Sequence, residues 1–202
     1  MKKNNKIIIA IEGIDGAGKS TLVGLLKKIF DNQVLVYSRT EKSEKDSKVL
    51  HNKVMQNCYA LQSLFYISLS HKNARRIVKN DNSSLLLMDR CFLSNVCYFY
   101  PKAMNHKIGL ALALLFEPKI YPNIIFILDE DPIIAHERDN KEKDVQWLIK
   151  TRKCYLDSAN KNTLNKYNIT IIPNNLSVED KLEIVINKLN KYLEGKNDIR
   201  QV

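Results

Sequence analysis

Glycine, proline and cysteine are all scarce in this chain, at 6, 5 and 4 of 202 residues. So little glycine and proline, with no Pro/Ser/Gly-rich stretch and no internal repeat, leaves no visible linker or low-complexity block, and one domain with a sizeable core is expected. Cys58, Cys91, Cys97 and Cys154 show neither CxxC spacing nor a neighbouring histidine cluster. That argues against a zinc site or a disulfide framework and leaves reduced, structural thiols. Long apolar runs are missing as well, so no segment reads as crossing a bilayer and no membrane partner is expected. The opening MKKNN and IIIAI imitate the basic and apolar parts of a signal peptide, but Glu12 interrupts them, and a cytoplasmic location is expected.

Negative charge is in deficit: 22 acidic residues face 32 basic ones, a formal charge of +10. An excess of this sign favours anionic partners. The basic residues are scattered, with no tail and no aromatic-interleaved patch, so a small phosphate-bearing ligand is expected in preference to a specific nucleic acid.

What the chain does have is short apolar runs alternating with longer helical patterns. Ile7–Ile11, Val34–Tyr37, Leu85–Met88, Ile124–Leu128 and Ile169–Ile172 read as strands, with helices expected at about 20–29, 48–80, 92–116, 132–160 and 177–194. Nearly continuous Ile, Leu and Val without polar alternation indicates strands buried on both faces, as in a parallel sheet. The expected class is α/β, with five parallel strands. Ser177 with Asp180 reads as the start of the last helix and Gly195 as its stop. The polar stretch RTEKSEKDSK, Arg39–Lys48, is the longest candidate loop.

The few glycines are not spread evenly. Gly13, Gly16 and Gly18 fall within six positions, in GIDGAGKST, directly after the first apolar run. Gly13, Gly18, Lys19 and Ser20 satisfy G-x-x-x-x-G-K-[ST] between a strand and a helix, which is a P-loop. Its glycines let backbone N–H groups turn inward around phosphates, the following helix adds its positive end, Lys19 reaches the terminal phosphates, and Ser20 would sit on Mg²⁺. No Asn-Lys pair has Asp two residues beyond the lysine, which disfavours a guanine-specific GTPase. The third strand runs LLLMDR, putting Asp89 and Arg90 at its carboxyl edge, where open α/β sheets bind ligands. An acid there can hold Mg²⁺ through water and an arginine can bridge phosphates; the alternative is an ion pair that merely caps the next helix.

Four segments in order resemble the thymidylate kinase family, nucleoside monophosphate kinases of the P-loop class. They are EGIDGAGKST (Glu12–Thr21), MDRCFLSNVCYF (Met88–Phe99), YPNIIFILDEDPIIAHER (Tyr121–Arg138) and KTRKCYLDSA (Lys150–Ala159). The resemblance covers most of the chain and implies a three-layer α/β/α P-loop fold with a short helical lid at about 138–150. It implies transfer of the ATP γ-phosphoryl group, with Mg²⁺, to a deoxynucleoside monophosphate such as dTMP, in a homodimer. Carried over by position, Gly13, Gly16, Gly18, Lys19, Ser20, Thr21 and Arg138 would hold ATP, and Ser20 and Asp89 the metal. Asp15 is similar to the acid that meets the acceptor's sugar hydroxyl, Arg39 and Arg90 to acceptor-phosphate arginines, Phe65 to the aromatic that stacks on the base, and Tyr98 to the residue crowding the ribose 2′ position. For Phe65 and Tyr98 a plain core role is the alternative.

The chain departs from the family pattern in three places. No Pro or Gly follows Arg39; Leu69 stands where an arginine recognises the thymine edge; and Ala17 stands where the P-loop can carry an arginine. Lys141, Lys143, Lys150 and Arg152 are the candidates for transition-state positive charge. A kinase for another nucleotide, nucleoside or small molecule, and an inactive ATP-binding regulator, stay open as alternatives.

Overall fold

The computed structural model describes residues 6–38, 42–52, 59–79, 83–103, 115–116, 120–139, 144–160 and 167–198. The apolar runs form five strands: β1 (Ile7–Gly13), β2 (Val34–Ser38), β3 (Leu85–Asp89), β4 (Ile124–Leu128) and β5 (Asn168–Ile172). They make one parallel sheet in the order β2-β3-β1-β4-β5. All of β4, and β3 from Leu85 to Met88, is buried, which is why these strands show no polar alternation. Burial of each such side chain contributes roughly 1.5–3 kcal/mol, and the core is centred on them. The edge strands β2 and β5 are only partly covered.

Seven helices are described: α1 (Lys19–Phe30), α2 (Glu44–Leu50), α3 (Tyr59–Lys79), α4 (Phe92–Ala103), α5 (Pro132–Arg138), α6 (Val145–Asn160) and α7 (Val178–Asp198). α1 packs with α7, while α4 packs with α6 and α3, giving the expected three layers. The chain leaves β1 for β2, returns to β3 at β1's side, then crosses to β4 on β1's other side. The carboxyl end of β1 is therefore the switch point where such sheets open a crevice.

Several expected boundaries shift. The described part of the expected loop Arg39–Lys48 holds the start of α2, begun by a reciprocal cap in which Ser43 Oγ accepts from Asp46 N at 3.3 Å and Ser43 N donates to Asp46 Oδ2 at 2.9 Å. No residue of α2 is buried, so it carries no apolar periodicity to read. The expected helix 132–160 is two helices: α5 ends at Arg138 and α6 begins at Val145. Helix α3 is separate from α2, and α4 is described only to Ala103. Gly195 does not stop α7, which continues to Asp198; it has no positive φ and behaves as an ordinary helical residue. The Ser177–Asp180 cap is present, with Asp180 N donating to Ser177 Oγ at 3.1 Å. Cys91, Cys97 and Cys154 are buried free thiols, and Cys58 lies outside the described residues. Among the described residues no helix is long and apolar enough to cross a membrane.

Candidate active site

The loop from Gly13 to Gly18 joins β1 to α1 at the switch point. Its three glycines have φ of 138°, 79° and 84° at Gly13, Gly16 and Gly18. Close approach dictates two of them: a Cβ on Gly13 would lie 2.6 Å from the Leu128 carbonyl oxygen, and one on Gly16 only 2.0 Å from that of Ala135. The P-loop is thus pressed against β4 and against α5. A Cβ on Gly18 would meet nothing within 4 Å, so that side of the loop is open for a ligand.

Lys19 starts α1 and curls into the loop, donating from Nζ to the Ile14 carbonyl at 2.6 Å. Burial, and next the Arg90 guanidinium, pull its ammonium down to about 7, against the opposing pull of Asp15, Asp89 and Glu12. A cation so poorly compensated is set to gain from an arriving phosphate. Ser20 and Thr21 are exposed in the first helical turn.

Asp89 ends β3 in register with Ile11 and Ser38. Its Oδ1 is buried without a hydrogen-bond partner, and burial raises the carboxyl above its ordinary range despite Arg90 and Lys19. An orphaned carboxylate oxygen beside a P-loop suits a hard divalent cation, so the residues present fit Mg²⁺.

Arg90 is the centre of the acceptor side. Its backbone has φ of 72°, a conformation costing about 1–2 kcal/mol for a residue with a Cβ. Its N–H continues the ladder to Ile11 O at 3.1 Å. The buried guanidinium pairs with Asp15 and donates to Tyr98 Oη at 2.9 Å, Gly13 O at 3.2 Å and Ser94 Oγ at 3.3 Å. It also lies 4.7 Å from the Tyr98 ring centroid. Burial opposes its charge, but Tyr98, Tyr155, Asp15 and Glu12 outweigh that and hold the proton. Arg90 is thus a buried arginine and not a surface one, and its bond to Ser94 also ties it to α4.

Asp15, Lys19, Asp89, Arg90 and Tyr98 are therefore brought together. Arg39, Lys141 and Lys143 lie outside the described residues. Phe65 is half-buried on α3, its ring edge-on to Tyr66 at 6.0 Å, and Leu69 one turn on is buried. Arg138 reaches Glu130 at 2.8 Å and Arg152 is forked onto Asp129, so each is paired with a carboxylate in this state. Of the segment 138–150 expected to be the lid, Arg138 ends α5, residues 140–143 lie outside the described residues, and Val145–Lys150 open α6.

Sequence reasoning missed four groups. Glu12 is fully buried between β1, α4 and α6, accepting from Cys91 N, Ser94 N, Ser94 Oγ and Tyr155 Oη. Ser94 relays it to Arg90, and Asp129 and Glu130 hold the arginines beside the lid. For Glu12 the available signal was an acid within an otherwise apolar strand.

Comparison with known proteins agrees with this geometry. The profile of the family described as thymidylate kinase matches residues 11–183. A probable thymidylate kinase of Saccharolobus solfataricus is 27% identical, covering 92% of this chain and 98% of its own. One of Methanobrevibacter smithii is 30% identical over 74% of this chain and 79% of its own. Among solved structures, thymidylate kinase of Ehrlichia chaffeensis aligns with a TM-score of 0.68 at 22% identity, covering 92% of this chain and 99% of that one. Deoxyadenosine kinase of M. mycoides, with bound dATP, aligns with 0.68 at 18%, covering 91% and 100%. A P-loop at the switch point, a buried Asp-Arg pair beside it and a match over most of the chain lead to one conclusion: the chain belongs to the thymidylate kinase family and is an ATP-dependent phosphotransferase.

Proposed function

We propose that the protein transfers the γ-phosphoryl group of ATP to the 5′-phosphate of dTMP, forming dTDP and ADP. The observation that carries this reading is a shared location: Lys19 of the P-loop and the Asp15–Arg90–Tyr98 cluster lie together at one switch point, where donor and acceptor phosphates could meet. Arg90 would hold the acceptor phosphate, Asp15 the sugar hydroxyl, and Tyr98 would crowd a ribose 2′ position; Phe65 would stack on the base and Arg39 complete the phosphate grip. The P-loop amides and Lys19 would hold the ATP phosphates, with Arg138 near the lid. Ser20 and Asp89 would hold Mg²⁺, which supplies charge neutralisation on the phosphates. Catalysis of this kind is positioning plus electrostatic stabilisation, with water excluded by the lid. Arg152 or Lys150 would supply further positive charge after the lid closes.

The same reading has single-domain chains acting in the cytoplasm as a homodimer. Leu64 and Phe116, 61% and 55% exposed, are apolar surface that a second copy would cover.

A second acceptor class is favoured by Leu69, which is buried and has no group to donate to a thymine carbonyl. The test is ADP release from ATP and Mg²⁺ with dTMP, dUMP, dCMP, dGMP, UMP and free nucleosides, with Lys19→Ala as control. Turnover strongest on dTMP and lost in the control supports the first reading; preference for another acceptor supports the second. ATP binding without turnover on any of them defeats both.

A further inference from the structure

Glu12 stands in IIIAIEG, a strand otherwise built of apolar residues and glycine, and it is completely buried. A buried carboxylate is a costly choice where a neutral side chain would pack, unless all its oxygens are used. Here they are. Oε1 accepts from the backbone N–H of Cys91 at 2.7 Å and of Ser94 at 3.2 Å; Oε2 accepts from Ser94 Oγ at 2.7 Å and Tyr155 Oη at 2.9 Å. These partners surround Arg90. Cys91 follows it directly, and Ser94 Oγ accepts from Arg90 Nη1 at 3.3 Å while donating to Glu12. Arg90 itself holds the left-handed backbone, which persists only where neighbours over-determine it.

We propose that Glu12 is the positioning residue for Arg90. By clamping the amides of Cys91 and Ser94 it holds the turn that aims the guanidinium at Gly13 and Asp15, and through Tyr155 it ties that aim to the helix that follows the lid. The inference rests on the reading of Arg90 as acceptor-phosphate ligand given above. An amide in place of the carboxylate loses the charge and half of the acceptor capacity while preserving shape, so Glu12→Gln disturbs the aim more than the packing.

The experiment is a double-mutant cycle on the full chain with Glu12→Gln, Arg90→Met and the double variant, plus Ser94→Ala. ATP and dTMP are varied separately, and the thermal midpoint is recorded for each variant. Glu12→Gln is expected to lower kcat/KM for dTMP on the order of 10- to 100-fold, the scale of a misplaced reacting group. Its KM for ATP stays within about twofold, since that site keeps its ligands. Ser94→Ala moves dTMP kinetics in the same direction by less. In the Arg90→Met background Glu12→Gln adds nothing, because its target has gone. Equal losses for both substrates that follow the thermal midpoint, additive effects with Arg90→Met, or unchanged dTMP kinetics would each overturn the proposal. A wild-type protein silent on dTMP counts against dTMP as acceptor, and the cycle is then read on whichever acceptor of the panel it does turn over.

Discussion

Arg152 donates from Nε and Nη2 to the two oxygens of Asp129, at 2.5 and 2.9 Å, joining the helix after the lid to the carboxyl end of β4. The next residue, Glu130, takes Arg138 from the helix before the lid at 2.8 Å. Two consecutive carboxylates thus hold one arginine from each side of the segment proposed as the lid. The Arg152–Asp129 pairing is planar and two-pronged, so it fixes direction as well as distance, whereas Arg138 meets Glu130 through a single contact.

Replacing Asp129 by Asn should therefore loosen one stem only. Because Arg152 is about a third exposed, the stability loss is expected to be about 1 kcal/mol or less. The larger effect is on turnover, a fall in kcat of about tenfold as the α6 stem loses its orientation. Thermal unfolding together with steady-state kinetics separates the two, and a stability loss with unchanged kcat would contradict the assignment.

Gly16 and Gly18 both have positive φ, but only Gly16 is in close contact with another element, the backbone at Ala135. Gly18→Ala should cost the backbone strain alone, about 1–2 kcal/mol. Gly16→Ala adds a clash that requires α5 to shift, so its loss of stability without nucleotide should be clearly greater. Equal unfolding midpoints would show that the P-loop and α5 do not press on one another as described.

Lys19 carries a pH signature whose sign can be worked out. Its folded value of about 7 lies below the ordinary 10.5, so between them the unfolded chain holds more of this proton and stability rises with pH. The penalty is fully present below about 7, relieved by about 10, and absent from Lys19→Met. Above that, burial keeps Tyr98 and Tyr155 neutral in the fold while they ionise in the unfolded chain, and stability falls again. Denaturant unfolding of the nucleotide-free protein from pH 6 to 11, on the order of one point per pH unit, measures both limbs. A wild-type profile parallel to that of Lys19→Met would refute the first.

Asp89 should show stability and activity moving in opposite directions. Burial holds its carboxyl above the ordinary range and leaves Oδ1 unpaired, so Asp89→Asn removes a buried charge and should leave the metal-free protein as stable or more so. Turnover should fall at least tenfold, with a higher Mg²⁺ requirement. A destabilised variant with normal Mg²⁺ dependence would place the acid in a structural role.

Local patterns carried much of this protein. All five strands were legible because burial on both faces demands continuous Ile, Leu and Val, and the P-loop was legible because its spacing is local chemistry. Lys19 followed from the P-loop spacing, and Asp89 and Arg90 from their place at the end of an apolar strand. The helix Glu44–Leu50 was not legible, since nothing in it is buried, and Gly195 misled because a glycine permits a helix to end without requiring it.

The amino-acid sequence by itself determined the parallel α/β sheet, the phosphate loop and the family, all read from short contiguous segments whose periodicity or spacing is local. Only the tertiary structure decided that Glu12 meets Cys91 and Ser94, 79 and 82 positions away, and Tyr155, 143 away. It alone decided that Asp129 and Glu130 hold the lid's arginines and that Asp89 keeps an unpaired oxygen. The reason is physical: a buried charge is tolerated only where donors from several elements converge, and that convergence is set by how the sheet and its helices pack.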